Sequence, residues 1–401
     1  MIKDLFQIQN YKLFLTNMTM LGMAVAITAP FLVIFMTETH GLSSTGYGIF
    51  MASAAVGSFF VNTIMGRYSD RLKFDRKYLI IAALFMQIMA FLSFLIIPNT
   101  WILIISYIIF FSLGAPAMPQ LYASARESIN QYRSGIAVMA NMILRSMFSF
   151  GFLFGPLVGS ILLARYDFTG LFFGTVIMFA VVFMSSFLIK NSSAPAVENT
   201  VEITNYEEPK SPNLLTNMTL LLPFVAFVFL HVGQWMYLLN MPLFVTGYLG
   251  EADSAVGILA SLCAGLEVPL MIFMGYVASR VSSKTLLIIA GFIGSMYFLS
   301  IGIFESYTMM LIGQLPLALF LAILLGLGIS YFQDLLPQFP GYASTLFANA
   351  MIVGQLVGNL LGGIANDTLG VENSFYISGA FLFIAFILFF FTKKEVTKGE
   401  I

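Results

Sequence analysis

Residues 256–276 read VGILASLCAGLEVPLMIFMGY, an apolar run whose one charged residue is Glu267. An α-helix needs about 20 mostly apolar residues to cross the hydrocarbon core of a bilayer. A carboxylate near the middle of such a helix costs at least roughly 2.5 kcal/mol on insertion scales, so it must face protein or water. The stretch therefore predicts a membrane-spanning helix that carries a working residue near its centre.

The composition of the whole chain agrees with this interpretation. Apolar residues make up 59% of the 401 residues and charged residues 9%, whereas a soluble domain carries about 25% charged residues. The net charge of −1 gives no support for binding nucleic acid. The polar N-terminus leads into a run longer than a signal peptide's apolar region, so we expect no cleaved signal.

Catalytic and metal-binding patterns are missing from the sequence. The single cysteine, Cys263, excludes an intrachain disulfide and a cysteine-based metal site. The sequence has no Gly-x-x-x-x-Gly-Lys loop, no His pair at metal-binding spacing and no nucleophile–base pair at a plausible spacing. We therefore expect neither an enzyme nor a protein with a bound cofactor or metal.

Apolar runs that end at Gly, Pro, Asn or a charge predict twelve spans. Helices are required because hydrocarbon cannot satisfy an open strand edge, and the runs lack the alternation of outer-membrane strands. The predicted fold class is an all-α integral membrane protein with twelve transmembrane helices in two six-helix halves. The predicted spans are about 13–37, 46–66, 78–97, 100–122, 135–163, 170–189, 219–246, 255–275, 285–303, 309–331, 343–364 and 373–391.

Basic residues predict the orientation, because they concentrate in cytoplasmic loops. With both termini inside, sixteen of the 18 Lys and Arg residues fall on the cytoplasmic side, which predicts a multi-pass protein of the cytoplasmic (inner) membrane. These are Lys3, Lys12, Arg67, Arg71, Lys73, Arg76, Lys77, Arg126, Arg133, Lys190, Lys210, Arg280, Lys284, Lys393, Lys394 and Lys398.

One long polar connection divides the chain. Residues 190–216 are acidic and poor in large apolar side chains, which is typical of a flexible linker. We therefore predict an N-terminal half, 1–189, and a C-terminal half, 217–401. The loops Gly66-Arg-Tyr-Ser-Asp-Arg71 and Gly275-Tyr-Val-Ala-Ser-Arg280 occupy matching positions in the two halves, as expected of a transporter built from repeats.

Two motifs resemble those of the major facilitator superfamily. The loop GRYSDRLKFDRK, residues 66–77, resembles its motif A, and residues 151–160, GFLFGPLVGS, resemble its motif C of proton-coupled exporters. The first resemblance implies that Gly66, Asp70 and Arg71 form a latch between the halves; the alternative is an ordinary basic loop. In the second, Gly155 and Pro156 would allow close helix packing and a bend; the alternative is generic packing. The Arg of motif B is missing from span 4.

Four further blocks resemble the bacterial sugar efflux transporter (Set) family. They are Pro119-Gln-Leu-Tyr-Ala-Ser-Ala-Arg126-Glu127, Asn240-Met-Pro-Leu-Phe, Ala264-Gly-Leu-Glu267-Val-Pro269 and Tyr331-Phe-Gln-Asp-Leu-Leu-Pro337. This resemblance implies export of sugars or glycosides against protons. The blocks lie in order through both halves.

Arg145, inside span 5, is the one apparent counter-charge for Glu267. Counting residues along each span places the two at nearly equal depth. Spans 5 and 8 are neighbours across the two halves in the superfamily fold, so we predict that the pair meets in at least one state. Movement of Arg145 would then switch the protonation of Glu267. The alternative is a static ion pair that holds the halves together.

Other polar residues are candidates for the central pathway and its gates. Amides can bind sugar hydroxyls, and Trp235 can stack on a sugar ring; His231 is more often a packed residue. The predicted solute-binding residues are Asn17, Gln120, Asn141, Gln234, Trp235, Tyr237, Asn240, Gln333, Asn349 and Gln355. The predicted gate residues are Glu127 and Asp334 at the inner face and Glu38 at the outer face.

The sequence therefore predicts a monomeric secondary transporter in the lipid bilayer. We expect it to export a sugar-like solute by alternating access, with the proton gradient as its energy source. Its closest competing interpretation is a multidrug–proton antiporter for amphipathic drugs. A receptor or scaffold would be expected to carry a larger soluble domain or tail than the loops of this chain provide.

Overall fold

The structure, a computed structural model, describes residues 7–68, 76–133, 137–190, 214–278, 280–336 and 340–392. Every regular element in these ranges is a helix, as predicted. We number the membrane crossings as spans 1–12. Span 1 consists of Tyr11–Thr28, Leu32–Ile34 and Phe35–Thr39. Span 2 is Ser44–Tyr68, span 3 is Arg76–Ile96, and span 4 consists of Thr100–Gly114 and Ala117–Arg133. Spans 5 and 6 are the two arms of Ala137–Ser186. Span 7 consists of Met218–Leu243 and Phe244–Tyr248, span 8 is Asp253–Val277, and span 9 is Ser283–Phe304. Span 10 consists of Tyr307–Ile312 and Gln314–Leu335, span 11 is Pro340–Leu369, and span 12 is Val371–Phe391.

Spans 5 and 6 are two helices, as the sequence predicts, but they meet at a kink instead of a loop. Eleven long apolar helices are found in the described residues, and one of them covers Ile143–Ser186. Its 44 residues would extend about 66 Å, roughly twice the hydrocarbon core. The dihedral angles leave the helical region at Tyr166 (φ −137°) and Asp167 (φ 53°). The break between the two arms is therefore a change of direction without a loop.

Caps and tight turns set the ends of the other helices. Asn99 accepts hydrogen bonds from the N–H groups of Trp101 and Ile102 and so begins span 4. Ser282 caps span 9 through the N–H of Thr285. Gly370 has φ 94° in the turn between spans 11 and 12, a conformation that glycine adopts without a steric penalty. Short local signals thus fix where each crossing starts and stops.

Most packing lies within spans 1–6 or within spans 7–12, which we call the N-terminal and C-terminal halves. Span 1 packs along span 5, and span 7 packs along spans 11 and 12. Two long seams join the halves: one between spans 2 and 11, the other between spans 5 and 8. We call the face with Tyr11 and Phe391 the inner face, following the predicted orientation, and the opposite face the outer face.

Main-chain contacts draw the halves together near the outer face. In the seam between spans 2 and 11, a side chain at Gly48 would collide with the carbonyl group of Asn359. In the seam between spans 5 and 8, a Cβ atom at Gly257 would lie 2.7 Å from the carbonyl oxygen of Pro156. Such close approach needs residues without side chains. The outer face is therefore closed in this conformation.

Candidate functional site

Arg145 is an exposed side chain on the inner part of span 5. It lies eight residues from the start of its helix at Ala137, a rise of about 12 Å. A guanidinium group at this depth is costly against lipid, so such residues face the bundle interior or a water-filled cavity. Its charge acts on Tyr122 of span 4 and on Glu267 of span 8. These three residues mark the boundary of spans 4, 5 and 8, and we call the region between them the cleft.

Glu267 is a partly buried carboxylate on the opposite wall of this cleft. Ten residues separate it from Val277, the last residue of span 8, a rise of about 15 Å. One turn toward the outer face lies Cys263, a buried free thiol on which the charge of Glu267 acts. The carboxylate thus lies between the cleft and the packed interior of the C-terminal half.

The register of the two spans shows that these charges are not level. A Cβ atom at Gly265 would lie 3.1 Å from a terminal methyl carbon of Leu153. Counting from this contact, Arg145 lies roughly one to two helical turns nearer the inner face than Glu267. Both side chains are described, and they form no direct ion pair with each other in this conformation. The sequence predicted equal depth because it gives no register between the helices.

Arg145 and Glu267 are therefore close enough to interact electrostatically, but without an ion pair neither charge is fully neutralised by the other. A carboxylate in a low-dielectric site can take up a proton or accept hydrogen bonds from hydroxyl groups. A guanidinium group can donate to hydroxyl or carbonyl oxygens. The cleft can therefore bind a neutral polar solute, a proton at Glu267, or each in turn.

Two grooves that follow the seams offer no comparable chemistry. One, of about 340 Å³, lies between spans 5 and 8 and is lined by apolar residues and one serine, Ser261. The other, of about 330 Å³, lies between spans 2 and 11 and is likewise mostly apolar. Neither presents the several convergent polar groups that fix a polar solute.

Two of the predicted solute-binding residues link helices within the N-terminal half. Asn17 is buried and donates to the hydroxyl of Ser186 at 3.4 Å, and it accepts from Ser185 at 2.5 Å. Gln120 is buried, and its carbonyl oxygen accepts from Arg76 at 3.1 Å. In this conformation these amides join span 1 to span 6 and span 4 to span 3, away from the cleft.

Two candidates on span 7 are buried within the C-terminal half. Asn240 has no exposed surface; it donates to the carbonyl oxygen of Gly362 and accepts from Asn366 at 3.0 Å. Tyr237 stacks on Phe298, and its hydroxyl lies 3.4 Å from that of Tyr297. Neither side chain reaches a water-filled path here, so their predicted contact with solute would require another conformation.

His231 and Gln234 form a local pair on span 7. The histidine Nδ1 lies 2.9 Å from the side-chain oxygen Oε1 of Gln234, and the ring has no exposed surface. Its Nε2 has no hydrogen-bond partner in the described residues. Trp235, the next residue, is partly exposed, and its Cβ atom packs against Gly358 of span 11. Gln234 and Trp235 remain candidates for contact with solute.

The other predicted residues take varied positions. Gln333, Asn349 and Gln355 are partly exposed; Asp334 and Glu38 are exposed near the inner and outer ends of their spans. Gly66 lies in the last turn of span 2. Asp70 and Arg71 lie outside the described residues, and the side chains of Asn141 and Glu127 are not among those described.

The glycines of residues 151–160 pack as the sequence predicts. Side chains at Gly151 and Gly159 would collide with the carbonyl oxygens of Thr19 and Ile27 in span 1. The helix continues through Pro156 with helical dihedral angles, and its break falls at Tyr166 and Asp167. Span 5 is therefore held tightly against span 1 on one face and against span 8 on another. The conformational role of Gly155 and Pro156 stays a prediction.

Sequence reasoning missed Tyr122 as a member of the site. This partly buried residue of span 4 lies within reach of the charge of Arg145. It follows Gln120 by two residues within the block that begins at Pro119. That block was a usable signal, although only the packing of span 4 on span 5 brings Tyr122 within reach of the charge of Arg145.

Comparison with known proteins points to one family. The family model described as Major Facilitator Superfamily matches residues 14–229 and 223–401. "Sugar efflux transporter A" of Dickeya chrysanthemi is 30% identical over 369 residues, which are 92% of each chain. "Sugar efflux transporter B" of Salmonella typhimurium is 31% identical over 361 residues, 89% of each chain. "Sugar efflux transporter C" of Escherichia coli K12 is 29% identical, with 93% of each chain covered.

Solved structures agree in fold. A nucleoside transporter superposes with a TM-score of 0.78 at 13% identity, covering 96% of this chain and all of the other. A D-xylose–proton symporter gives a TM-score of 0.75 at 15% identity, covering 97% of this chain and 98% of the other. At such low identity these similarities concern the fold alone.

Proposed function

Since the chain belongs to the Major Facilitator Superfamily, we propose that it exports small sugars or glycosides across the cytoplasmic membrane by alternating access, coupled to protons that enter. The chain is a multi-pass membrane transporter by its family and its long apolar helices. The proposal concerns its solute, its energy source and its direction.

The proposed solute class rests on the relatives. Three bacterial proteins named as sugar efflux transporters align with about nine tenths of this chain. The cleft agrees with such a solute because Arg145, Glu267 and Tyr122 supply donors, an acceptor and an aromatic face. Gln234 and Trp235 are further candidates on span 7. An uncharged polyol fits this set, since its hydroxyl groups both donate and accept.

The observation that carries the coupling proposal is the incomplete neutralisation of Glu267. Its carboxylate is partly buried at depth in the membrane, and Arg145 acts on it without direct contact. Such a group changes its proton affinity when its cationic neighbour or the surrounding water moves. We propose that Glu267 is protonated from the outer side and deprotonated toward the inner side as the halves rock.

The remaining expectations complete the proposal. The distribution of basic residues favours cytoplasmic termini, and we propose a monomer of two half-units, 1–189 and 217–401, joined by the linker 190–216. Glu127, Asp334 and Glu38 would line the gates. Asp70, with Arg71 and Gly66, would hold the inner ends of the halves when the outer side opens.

A proteoliposome assay tests the proposal. Purified protein is reconstituted, and the uptake of radiolabelled sugars, glycosides and cationic dyes is compared with and without an imposed pH gradient. We expect gradient-driven movement of at least one sugar or glycoside. In Glu267→Gln the gradient should lose its effect, while solute exchange without a gradient persists. Glu251→Gln, an exposed carboxylate at the outer face, is the matched control.

Two outcomes would contradict the proposal. Undiminished gradient-driven transport by Glu267→Gln would exclude this residue as the proton carrier. Movement of dyes without any sugar or glycoside would favour a multidrug antiporter.

A further inference from the structure

Asp367 joins the two halves at the outer face. It lies near the outer end of span 11, and its Oδ1 accepts a hydrogen bond from the N–H of Ser44 at 3.0 Å. Its Oδ2 accepts from the N–H of Thr45 at 2.8 Å. The hydroxyl groups of Ser43 and Thr45 lie near this carboxylate and favour its charged form. One side chain of the C-terminal half thus binds the beginning of span 2 in the N-terminal half.

The bonds use groups that a helix cannot satisfy by itself. The first N–H groups of a helix have no intrahelical partner, and they carry partial positive charge. Ser43 caps span 2 in the usual way, because its hydroxyl accepts from the N–H of Gly46 at 3.0 Å. Asp367 supplies a second, charged cap from the other half of the molecule. Charge-assisted hydrogen bonds of this kind are roughly twice as strong as neutral ones.

The position of Asp367 within its own half is fixed. The side-chain amide of the preceding residue, Asn366, donates to the side-chain oxygen Oδ1 of Asn240 in span 7 at 3.0 Å. Asn240 in turn donates to the carbonyl oxygen of Gly362, one turn earlier in span 11. The outer end of span 11 is therefore tied to span 7. The bonds of Asp367 therefore link the N-terminal half to both span 11 and span 7 of the C-terminal half.

Close packing surrounds the bonds. A side chain at Gly363 would collide with the carbonyl group of Ser44, and one at Gly48 would collide with that of Asn359. Span 2 and span 11 therefore separate at the outer face only if the Asp367 bonds break. Because opening exposes this seam to water, the N–H groups of Ser44 and Thr45 would then donate their hydrogen bonds to water instead of to the Asp367 carboxylate.

We propose that Asp367 is a positioning residue for transport, the latch that holds the outer gate shut while the inner side is open. The proposal rests on the alternating access proposed above. The predicted latch at Asp70 follows span 2 at the inner face, whereas Asp367 ends span 11 at the outer face. Transport would then break the Asp367 bonds when the outer side opens and form them again when it closes.

Distance measurements between spin labels test this inference without any solute. Cys263 is replaced by serine, and labels are attached through Thr169→Cys and Ala252→Cys, exposed positions at the outer ends of the two halves. Double electron–electron resonance then reports the fraction of molecules with a long outer distance. In Asp367→Asn the ratio of outer-open to outer-closed molecules should rise about tenfold, because a charged hydrogen-bond acceptor is lost. Asp367→Glu should restore part of the closed fraction.

Two further variants separate the latch from a general weakening of the fold. Glu305→Gln removes an outer-face carboxylate whose described partner, Tyr248, lies in the same half, and it should leave the distances unchanged. Ser44→Pro removes one donor N–H while leaving Asp367 intact, at a first helical position where proline is tolerated. It should raise the outer-open fraction by less than Asp367→Asn does.

The results decide the proposal. It is overturned if Asp367→Asn keeps the distances of the parent protein, or if Glu305→Gln shifts them equally. Should Asp367→Asn fail to fold, unchanged distances in Ser44→Pro would overturn it. A failure to transport sugars would not affect these distances, so it would count against the proposed function alone.

Discussion

Gly257 of span 8 lies against the main-chain carbonyl of Pro156 in span 5, where an added Cβ atom would come within 2.7 Å of the oxygen. The same Cβ atom would lie 2.9 Å from that of Ser160. The two halves thus meet here through the backbone of span 8, the main chain at Pro156 and the small side chain of Ser160. This contact closes the outer part of the seam between spans 5 and 8.

Substitution of Gly257 by alanine should therefore open the outer face. The added methyl group forces spans 5 and 8 apart at a cost of about 1–3 kcal/mol, so we expect more outer-open molecules by the spin-label distances described above. Gly275→Ala is the matched control on the same helix, because a Cβ atom there meets nothing within 4 Å. Equal shifts in the two variants would contradict a specific contact at Gly257.

Arg145 and Glu267 should show a measurable energetic coupling. The melting of the parent, Arg145→Met, Glu267→Gln and the double variant forms a thermodynamic cycle. We expect a coupling of about 1 kcal/mol, smaller than for a contacting buried pair, because the charges interact without direct contact. Arg145→Lys keeps the positive charge and should retain most of it. A coupling of zero would contradict the electrostatic link in this conformation.

Asn240 should act through stability more than through solute affinity. Asn240→Ala leaves the Gly362 carbonyl and the Asn366 amide without this partner in a buried site, which costs about 1–3 kcal/mol. We expect a lower melting temperature and an unchanged half-saturating solute concentration in the surviving protein. Asn349→Ala, at a partly exposed position on span 11, is the comparison. A selective loss of solute affinity in Asn240→Ala would instead support the role predicted from sequence.

His40 predicts a pH dependence of stability at the outer face. Burial lowers the pKa of His40, whose Nδ1 lies 3.0 Å from the hydroxyl of Thr100. The folded protein thus favours the neutral ring, and its contribution is present above the unfolded pKa and lost as the pH falls. Melting temperatures measured from about pH 7.5 to about pH 5.5 should fall less steeply in His40→Gln than in the parent. Parallel pH profiles would contradict this assignment.

The length of the apolar runs, and the Gly, Pro, Asn or charged residues that end them, were enough to predict the class of fold and most helix ends. The predicted span 255–275, for example, is the helix Asp253–Val277, because apolar length is a local property that the bilayer thickness fixes. The kink between spans 5 and 6 falls inside the predicted connection, about 164–169, but its tightness was not predicted. It depends on the two dihedral angles of Tyr166 and Asp167, and those residue types carry no turn signal as strong as glycine or proline.

The candidate site was predicted only in part. Arg145 and Glu267 stand out because a charge inside an apolar run is locally visible and physically costly. The buried amides are different: Asn17 and Asn240 look alike in sequence, and whether an amide faces water or a neighbouring helix depends on the rotation of each span. Asp367 is separated from Ser44 by 323 residues. No local pattern could pair them, since a carboxylate at a helix end is usually solvated.

At Gly48, Gly257 and Gly363, glycine brings the two halves into close contact across the seams, and this affects how the halves can move. A glycine at such a contact has no side chain that must change its rotamer, so the halves can part and meet again there as whole bodies. Gln234 and Trp235, the candidates on span 7 for contact with solute, are not among the residues of these contacts. We therefore expect that their replacement changes which solute is carried and leaves the movement of the two halves unchanged.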